Sequence, residues 1–402
     1  PEFDSVLLSL VSDSNRQVRL NTAKLLFKMS DRNPAEKLLE QFKVEEYPDI
    51  KLELFKALGE ACYFAFSPGQ TVKVSEDIRS STFIIAEKYL AEKDTEKARV
   101  AAEVIRKLLE PKDIPHELTK KFITLLSQRY MQAKDDNPAL AADILNVMTK
   151  ICTHSVHKDL AAGYFTKFFI EGLSDKENEP LRRTAVAGLI NVDKTSALEI
   201  FKSRSVIKDP SQNIRMAVIE LAGETGKAED IEWLMPLIPS NGLGASAWES
   251  VKKILQRQQA ETVNNWAGKL LDLSITPERK ITILELLLKK AQQENKTELA
   301  ESAEKKLRLL QLEIYLKSSD FTSASSLTAK RLQESDMQSA DKLIALLNEY
   351  FQSNATLKQK TELLKALTEI NGTGNTTPQS QWRKSLSAWK QNLAPEPEPE
   401  SK

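Results

Sequence analysis

The sequence has little of what ends helices or builds β-sheets. It holds 12 glycines and 16 prolines in 402 residues, and aromatic residues make up 6%. Leu, Ala, Lys and Glu dominate instead, and few runs of alternating β-branched residues occur. Because these are strong helix formers, the composition favours helix over sheet and predicts an all-α fold.

Residues that commonly carry chemistry are also scarce. Only two cysteines and three histidines are present. Cys62 and Cys152 fall in different candidate helix pairs, so we expect two buried, unpaired thiols rather than a disulfide. The segment from Cys152 to His157 has metal-like spacing, with His154 as a third candidate ligand. A structural zinc site needs four ligands and no fourth stands out, so we predict no metal.

No familiar catalytic motif occurs in the chain. It has no glycine-rich phosphate loop and no His-Glu-x-x-His helix, and Ser246 lacks the second glycine of a nucleophile elbow. We therefore predict a protein that is not an enzyme, with no catalytic residue and no cofactor.

Charge and hydropathy limit the classes of partner. The 57 basic and 57 acidic residues cancel, which disfavours nucleic acid as the main ligand. No segment approaches the roughly 18 to 20 apolar residues of a membrane span. The chain begins Pro1-Glu2-Phe3 without an initiator Met, so an upstream signal or anchor can be missing. Localisation stays open between the cytoplasm, which we favour, and export.

A two-helix unit recurs along the chain. Its second helix opens on an apolar residue followed by a base, as in Val18-Arg19 and Ile214-Arg215. Successive units are 32 to 48 residues apart when the register is set at Arg19, Lys51, Arg99, Ala141, Arg182, Arg215, Trp248 and Lys280. This spacing is typical of helical repeats, so the pattern predicts an α-solenoid, a superhelix of antiparallel helix pairs.

The pattern changes after about Gln293. A long helix with a narrow apolar seam follows, and three further helices are predicted at 320–334, 336–352 and 355–370. A last helix around 381–392 carries Trp382, Leu386 and Trp389 on one face. We predict that it packs back as a terminal cap, with a free docking peptide as the alternative. The predicted domains are a repeat array at 1–293, a tetratricopeptide-like or capping helical-hairpin region at 294–393, and a disordered Pro/Glu tail at 394–402.

The repeat resembles a known family. Asp13 followed by Val18-Arg19, with Ala23 and Leu26 beyond, is similar to the HEAT repeat, including the HEAT-like repeats named after phycobilisome lyases. The resemblance covers roughly residues 2 to 293. It implies an α-solenoid whose second helices line a concave surface, and a ladder of the motif aspartate and arginine between adjacent repeats.

Two groups of residues are candidates for function. The bases that open the second helices could contact an acidic partner, or pair structurally with Asp13, Glu96, Glu179, Asp209 and Glu278. Three tryptophans near Arg257 and Asp230 could hold a damaged nucleotide, as in HEAT-like alkylpurine DNA glycosylases, or serve as core or protein-binding anchors. We predict a scaffold or adaptor that binds a protein on the concave face, with a nucleic-acid-binding or glycosylase-like protein as the alternative. The candidate partner-binding residues are Arg99, Arg182, Arg183, Arg215, Trp233, Trp248 and Trp266.

Overall fold

The structure is a computed structural model that describes residues 2–32, 34–70, 74–110, 114–333, 337–370 and 377–393. This part of the chain is helical and contains no β-strand. Its α-helices are α1 (Glu2–Ser9), α2 (Arg16–Lys28), α3 (Ala35–Val44), α4 (Pro48–Phe66), α5 (Glu76–Ala91), α6 (Thr95–Leu108), α7 (His116–Asp136), α8 (Pro138–His154), α9 (Lys158–Gly172), α10 (Glu179–Val192), α11 (Lys194–Ser203), α12 (Gln212–Thr225), α13 (Asp230–Leu234), α14 (Gly244–Gln256), α15 (Ala260–Leu271), α16 (Pro277–Gln293), α17 (Thr297–Ser318), α18 (Phe321–Gln333), α19 (Met337–Gln352), α20 (Leu357–Thr368) and α21 (Thr377–Leu393).

The chain divides into two compact units, unit 1 (Pro1–Gly226) and unit 2 (Lys227–Lys402). In unit 1 the even-numbered helices from α2 to α12 contact one another in sequence, and each of α4 to α12 also packs against the odd-numbered helix before it. All eight residues of the predicted register lie in the even-numbered helices α2 to α16. The predicted all-α, α-solenoid fold class is confirmed.

Local sequence signals fix where the second helices begin. The side chains of Asn15, Asp94, Asn137 and Asn178 precede α2, α6, α8 and α10, and each accepts a hydrogen bond from a backbone N–H of the first turn. Those amides have no partner within the helix, so a polar residue at this position stabilises the helix start.

Close packing of the helices depends on two glycines. A Cβ on Gly188 of α10 would lie 2.5 Å from the ring of Phe169 in α9, and one on Gly59 of α4 would lie 2.6 Å from Val104 in α6. Both distances are far below van der Waals contact. Only glycine therefore allows these neighbouring helices to approach so closely.

Unit 2 begins with the pairs α13/α14 and α15/α16, and α16 packs against α17. Helices α17 to α21 share one hydrophobic cluster that includes Trp382 and Trp389, which are 2% and 4% exposed. The predicted packing of the last helix against its neighbours is present: α21 contacts α19 and α20, and Trp389 donates a hydrogen bond to Asn348 Oδ1 at 2.7 Å.

The predicted boundary near residue 293 falls between α16 and α17, inside unit 2, and remains a prediction. The predicted tail, 394–402, lies outside the described residues. Among the described helices, none combines the length and apolar character needed to cross a bilayer.

Candidate functional site

Arg182 forms a buried ladder between α10 and the loop before α12. Its Nε and Nη2 donate to the two carboxylate oxygens of Asp209 at 2.8 and 3.2 Å. Its Nη1 donates to the backbone oxygens of Asp175 and Lys176 at 3.1 and 3.2 Å. The hydrogen bonds to Asp209 hold the pKa of Arg182 above its usual value. These hydrogen bonds join consecutive repeats. Because only 7% of the Arg182 side chain is exposed, Arg182 presents little surface to a partner.

Arg19 repeats this arrangement in the first two helix pairs. Its Nε and Nη2 donate to Glu45 at 2.7 and 3.1 Å, and its Nη1 donates to the backbone oxygens of Asp13 and Ser14. The predicted partnership with Asp13 needs correction, because Asp13 contributes its carbonyl and not its carboxylate. The Asp13 carboxylate instead accepts from the backbone N–H of Asn15 at 2.7 Å. The acid of this ladder is Glu45.

The remaining predicted bases have different surroundings. Arg99 is exposed and pairs with Asp143 at 2.7 Å and with Glu96 at 2.9 Å. Arg183 is exposed and has no ion pair within the described residues. Arg215 is partly buried, and its Nε has no hydrogen-bond partner among those residues. No Asp or Glu occurs at 236–247, where the next ladder acid would be expected.

An apolar groove crosses the face formed by the second helices α2, α4, α6, α8, α10 and α12 of unit 1, here called the second-helix face. The groove lies at α2, α4 and α6 and has a volume of about 240 Å³. Phe27 is 38% exposed there, beside the buried Val100 and Val104. The lining residues are Phe27, Lys56, Arg99, Val100, Glu103, Val104 and Lys107. An exposed aromatic ring next to two valines gives this part of the surface an apolar site with charged edges.

The three cations at the groove are already neutralised. Lys107 pairs with an acid and also lies with Nζ 5.2 Å from the centroid of the Phe27 ring. The acid partners are Glu53 and Glu96 for Lys56, Glu96 and Asp143 for Arg99, and Glu60 for Lys107. A polyanion would have to displace these acids to reach the cations. The groove therefore suits a peptide with an apolar side chain better than a phosphate backbone.

The predicted tryptophans all lie in unit 2. Trp248 of α14 is 7% exposed, and the Arg279 guanidinium carbon lies 5.6 Å from its ring centroid. Trp233 and Trp266 are partly exposed, and Lys269 Nζ lies 4.5 Å from the Trp266 ring. Asp230 is buried, and its carboxylate accepts a hydrogen bond from the Lys227 N–H at 2.7 Å. Trp248 therefore packs in the interior of the unit, and Asp230 stabilises the turn that begins at Lys227.

Comparison with known families identifies the repeat. The profile of the family described as HEAT repeats matches residues 166–243. This match includes α10 and α12, with the buried Arg182–Asp209 ladder between them. Residues 166–243 are HEAT repeats. A search of curated proteins gave no significant match.

Several solved structures are similar to this chain at 11 to 13% sequence identity. Yeast importin-β aligns with a TM-score of 0.50 at 11% identity, over 97% of this chain and 52% of its own. An engineered protein aligns over 97% of this chain and 98% of its own, with 12% identity and a TM-score of 0.42. The CpcE–CpcF complex of phycocyanin lyase from Nostoc sp. PCC7120 aligns over 71% of this chain and 93% of its own, at 13% identity and a TM-score of 0.35. The HEAT-repeat solenoid is consistent with a protein-interaction scaffold.

The two cysteines are interior residues, and the two candidate histidines differ in exposure. Cys62 and Cys152 are buried and unpaired, as predicted, and desolvation raises the pKa of their thiols to about 11 and about 12. His154 is exposed, whereas His157 is partly buried and lies with Nε2 3.0 Å from the Ile114 carbonyl oxygen. The described residues hold no cluster of His, Cys, Asp or Glu suited to a metal ion.

Sequence reasoning missed Phe27 and Glu45. Leu25, Leu26 and Phe27 are consecutive, and successive helical residues are about 100° apart around the axis, so all three cannot face the core. Only Leu26 is buried. Glu45 lies just before α4, as Asp209 lies just before α12, and this shared position was the available signal.

Proposed function

We propose that this HEAT-repeat protein is a non-catalytic scaffold that binds another protein on the second-helix face of unit 1. In HEAT arrays the second helices line the concave surface. The single observation that carries the proposal is the apolar groove at Phe27, where a half-exposed aromatic ring lies beside the buried Val100 and Val104. Apolar pockets with charged edges are typical anchor points for a side chain of an extended segment or helix.

The predicted binding residues contribute unequally to this proposal. Arg99 lines the groove with its charge already paired to Glu96 and Asp143, whereas Arg183 on α10 is an exposed cation without an ion pair in the described residues. Arg215 on α12 has one donor nitrogen without a partner among the described residues. Trp233 and Trp266 offer partly exposed rings in unit 2. Arg182 and Trp248 are buried, so we assign them a structural role.

Neutralisation of the groove cations supports a protein partner over nucleic acid. A protein that grips phosphates loses affinity steeply with salt, with a log–log slope that grows by roughly one per contacted phosphate. We expect no tight binding of DNA or RNA even at low salt. Tight binding with a slope of several units would replace the scaffold proposal with the nucleic-acid alternative.

The proposal is tested by substitution on opposite faces of unit 1. Phe27→Ser changes the groove. Ile84→Ser changes an apolar residue that is 67% exposed on α5, the first helix of the pair α5/α6. Partners are captured from native extract on immobilised wild-type protein, identified by mass spectrometry, purified, and titrated against each variant. Thermal melts establish that both variants remain folded.

We expect Phe27→Ser to weaken binding of the purified partner at least about tenfold, as truncation of an interface anchor does. Ile84→Ser should leave its affinity unchanged. The reverse pattern, with loss only at Ile84, would move the binding surface to the first helices and overturn the proposal.

A further inference from the structure

A second concave site lies at the loops of unit 1, away from the groove. It is a cleft of about 610 Å³ between the loop after α9 and the loop after α11. Its lining residues are Leu173, Ser174, Asp175, Lys176, Arg182, Arg204, Ser205, Val206, Lys208, Asp209 and Pro210. The Arg182–Asp209 ladder joins the two loops, and Arg204 Nη1 donates to Ser174 Oγ at 3.2 Å. These contacts fix the two walls relative to each other.

The two acids of the cleft already have donors. Asp209 accepts both hydrogen bonds of the Arg182 fork and a third from the Ser211 N–H at 2.8 Å. Asp175 Oδ1 accepts from the backbone N–H groups of Glu177 and Asn178. Asp209 is paired with Arg182, whereas Asp175 keeps its charge, so the four cations and two acids of the lining leave a net charge of +2.

Three cations of the cleft, in contrast, have no acid partner. Lys176, Arg204 and Lys208 are exposed, and none of them forms an ion pair in the part of the chain that the structure describes. The cleft therefore has an excess of positive charge, carried by exposed side chains on two facing loops. A concave surface with a net charge concentrates ligands of the opposite sign.

The ladder of the first two repeats shows that these lysines are not needed to build the junction. The residue equivalent to Lys176, whose carbonyl accepts from the ladder arginine, is Ser14 there. The residue before the ladder acid is Val44 in place of Lys208. The same arrangement of hydrogen bonds thus forms without a lysine at either position. The hydrogen bonds of the later junction therefore do not require Lys176 or Lys208.

We propose that this cleft binds an anionic peptide segment of a partner protein, through carboxylates or phosphates that contact Lys176, Lys208 and Arg204. Its volume is within the range of sites that hold several groups of a ligand, and it exceeds the space needed for one phosphate. No aromatic residue occurs among the lining residues, whereas binding of single-stranded nucleic acid relies on aromatic stacking. Lysine and arginine side chains on facing loops suit successive acidic side chains.

The test uses the full chain and defined peptides. Fluorescein-labelled hexaglutamate, a peptide of equal length with two phosphoserines, and hexaglutamine are titrated by fluorescence anisotropy at low and at physiological salt. The test variants are the double substitution Lys176→Gln/Lys208→Gln and the single substitution Arg204→Gln. The matched control is Lys120→Gln/Lys158→Gln, which removes the same charge from two exposed lysines that have no ion pair in the described residues.

We expect both anionic peptides to bind and hexaglutamine not to bind. The double variant should weaken binding by about tenfold, Arg204→Gln should weaken it less, and the control should leave it unchanged. The tighter of the two anionic peptides identifies carboxylate or phosphate as the preferred group. Equal weakening in the control or equal binding of hexaglutamine would overturn the proposal. Titration of a short DNA duplex under the same conditions would also overturn it if the duplex bound more tightly than the peptides and the double variant weakened that binding. Phe27→Ser should have no effect on these titrations, so this result is independent of the groove.

Discussion

Glu45 accepts both arms of the Arg19 guanidinium fork, at 2.7 Å from Nε and 3.1 Å from Nη2, across the junction of the first two helix pairs. Gln41 Nε2 and the Tyr47 N–H also donate to this buried carboxylate. Arg19 is the main reason that the pKa of Glu45 falls from 4.5 to about 2. The ladder therefore couples the stability of this junction to pH.

The first prediction follows from that lowered pKa. A carboxylate with a depressed pKa in the folded state stabilises the fold above its unfolded pKa, and this contribution is lost as pH falls toward the folded value. The shift corresponds to about 3 kcal/mol, at about 1.36 kcal/mol per pKa unit. Urea unfolding followed by circular dichroism should show Glu45→Gln to be less stable at neutral pH, with the difference from wild type vanishing between pH 4.5 and about 2. A difference that is constant over this range would contradict the assignment.

The second prediction separates two neighbouring arginines. Arg182→Met leaves the Asp209 carboxylate buried without its partner and should cost about 3 to 5 kcal/mol of unfolding free energy. Arg183→Met changes an exposed cation and should stay within about 0.5 kcal/mol of wild type. Chemical denaturation of both variants checks this pair. Equal stability losses would mean that the buried ladder does not stabilise the junction.

The third prediction concerns close packing between α9 and α10. Gly188→Ala would place a methyl group 2.5 Å from Phe169, whose ring is fully buried. We expect a loss of about 1 to 3 kcal/mol from overpacking. Gly163→Ala in α9 meets nothing within 4 Å and should stabilise the helix by up to about 1 kcal/mol. Melting temperatures that move in opposite directions would support this account, and a harmless Gly188→Ala would refute it.

The fourth prediction tests the capping role of α21. Trp389 stacks on Phe351 with ring centroids 4.7 Å apart and donates its hydrogen bond to Asn348. Trp389→Ala should cost about 3 to 5 kcal/mol, whereas Lys390→Ala at the next, exposed position should stay within about 0.5 kcal/mol. Dye binding should rise in Trp389→Ala as the hydrophobic cluster opens. Unchanged stability together with loss of a partner would favour the docking-peptide alternative.

The fifth prediction uses the distribution of tryptophan. All five tryptophans follow residue 226, so their fluorescence reports on unit 2, while far-ultraviolet circular dichroism reports on both units. Repeat proteins unfold at their weaker interfaces, so a two-state transition is not expected. Denaturation should give non-coincident curves for the two probes. One coincident, sharp transition would show that the units unfold together.

The sequence by itself determined the repeating helix pairs. The spacing from Arg19 to Lys280 placed all eight second helices, because a helix start depends on residues a few positions apart. The three helices predicted between residues 320 and 370 correspond to α18, α19 and α20 for the same reason. Low glycine and proline content and the apolar period were sufficient for the fold class.

Only the tertiary structure decided which polar and aromatic side chains are available. Arg99, Arg182 and Arg183 all lie near the start of a second helix. The structure nevertheless buries Arg182 in a ladder and places Arg99 at an apolar groove, while Arg183 has no ion pair in the described residues. Their surroundings depend on residues 27 to 44 positions away, such as Asp209 and Asp143, and the bends of the intervening loops set those distances. The exposure of Phe27 likewise follows from how α2, α4 and α6 stack. Helix formation is governed by local interactions, whereas the accessibility of a site depends on contacts between repeats that no local pattern encodes.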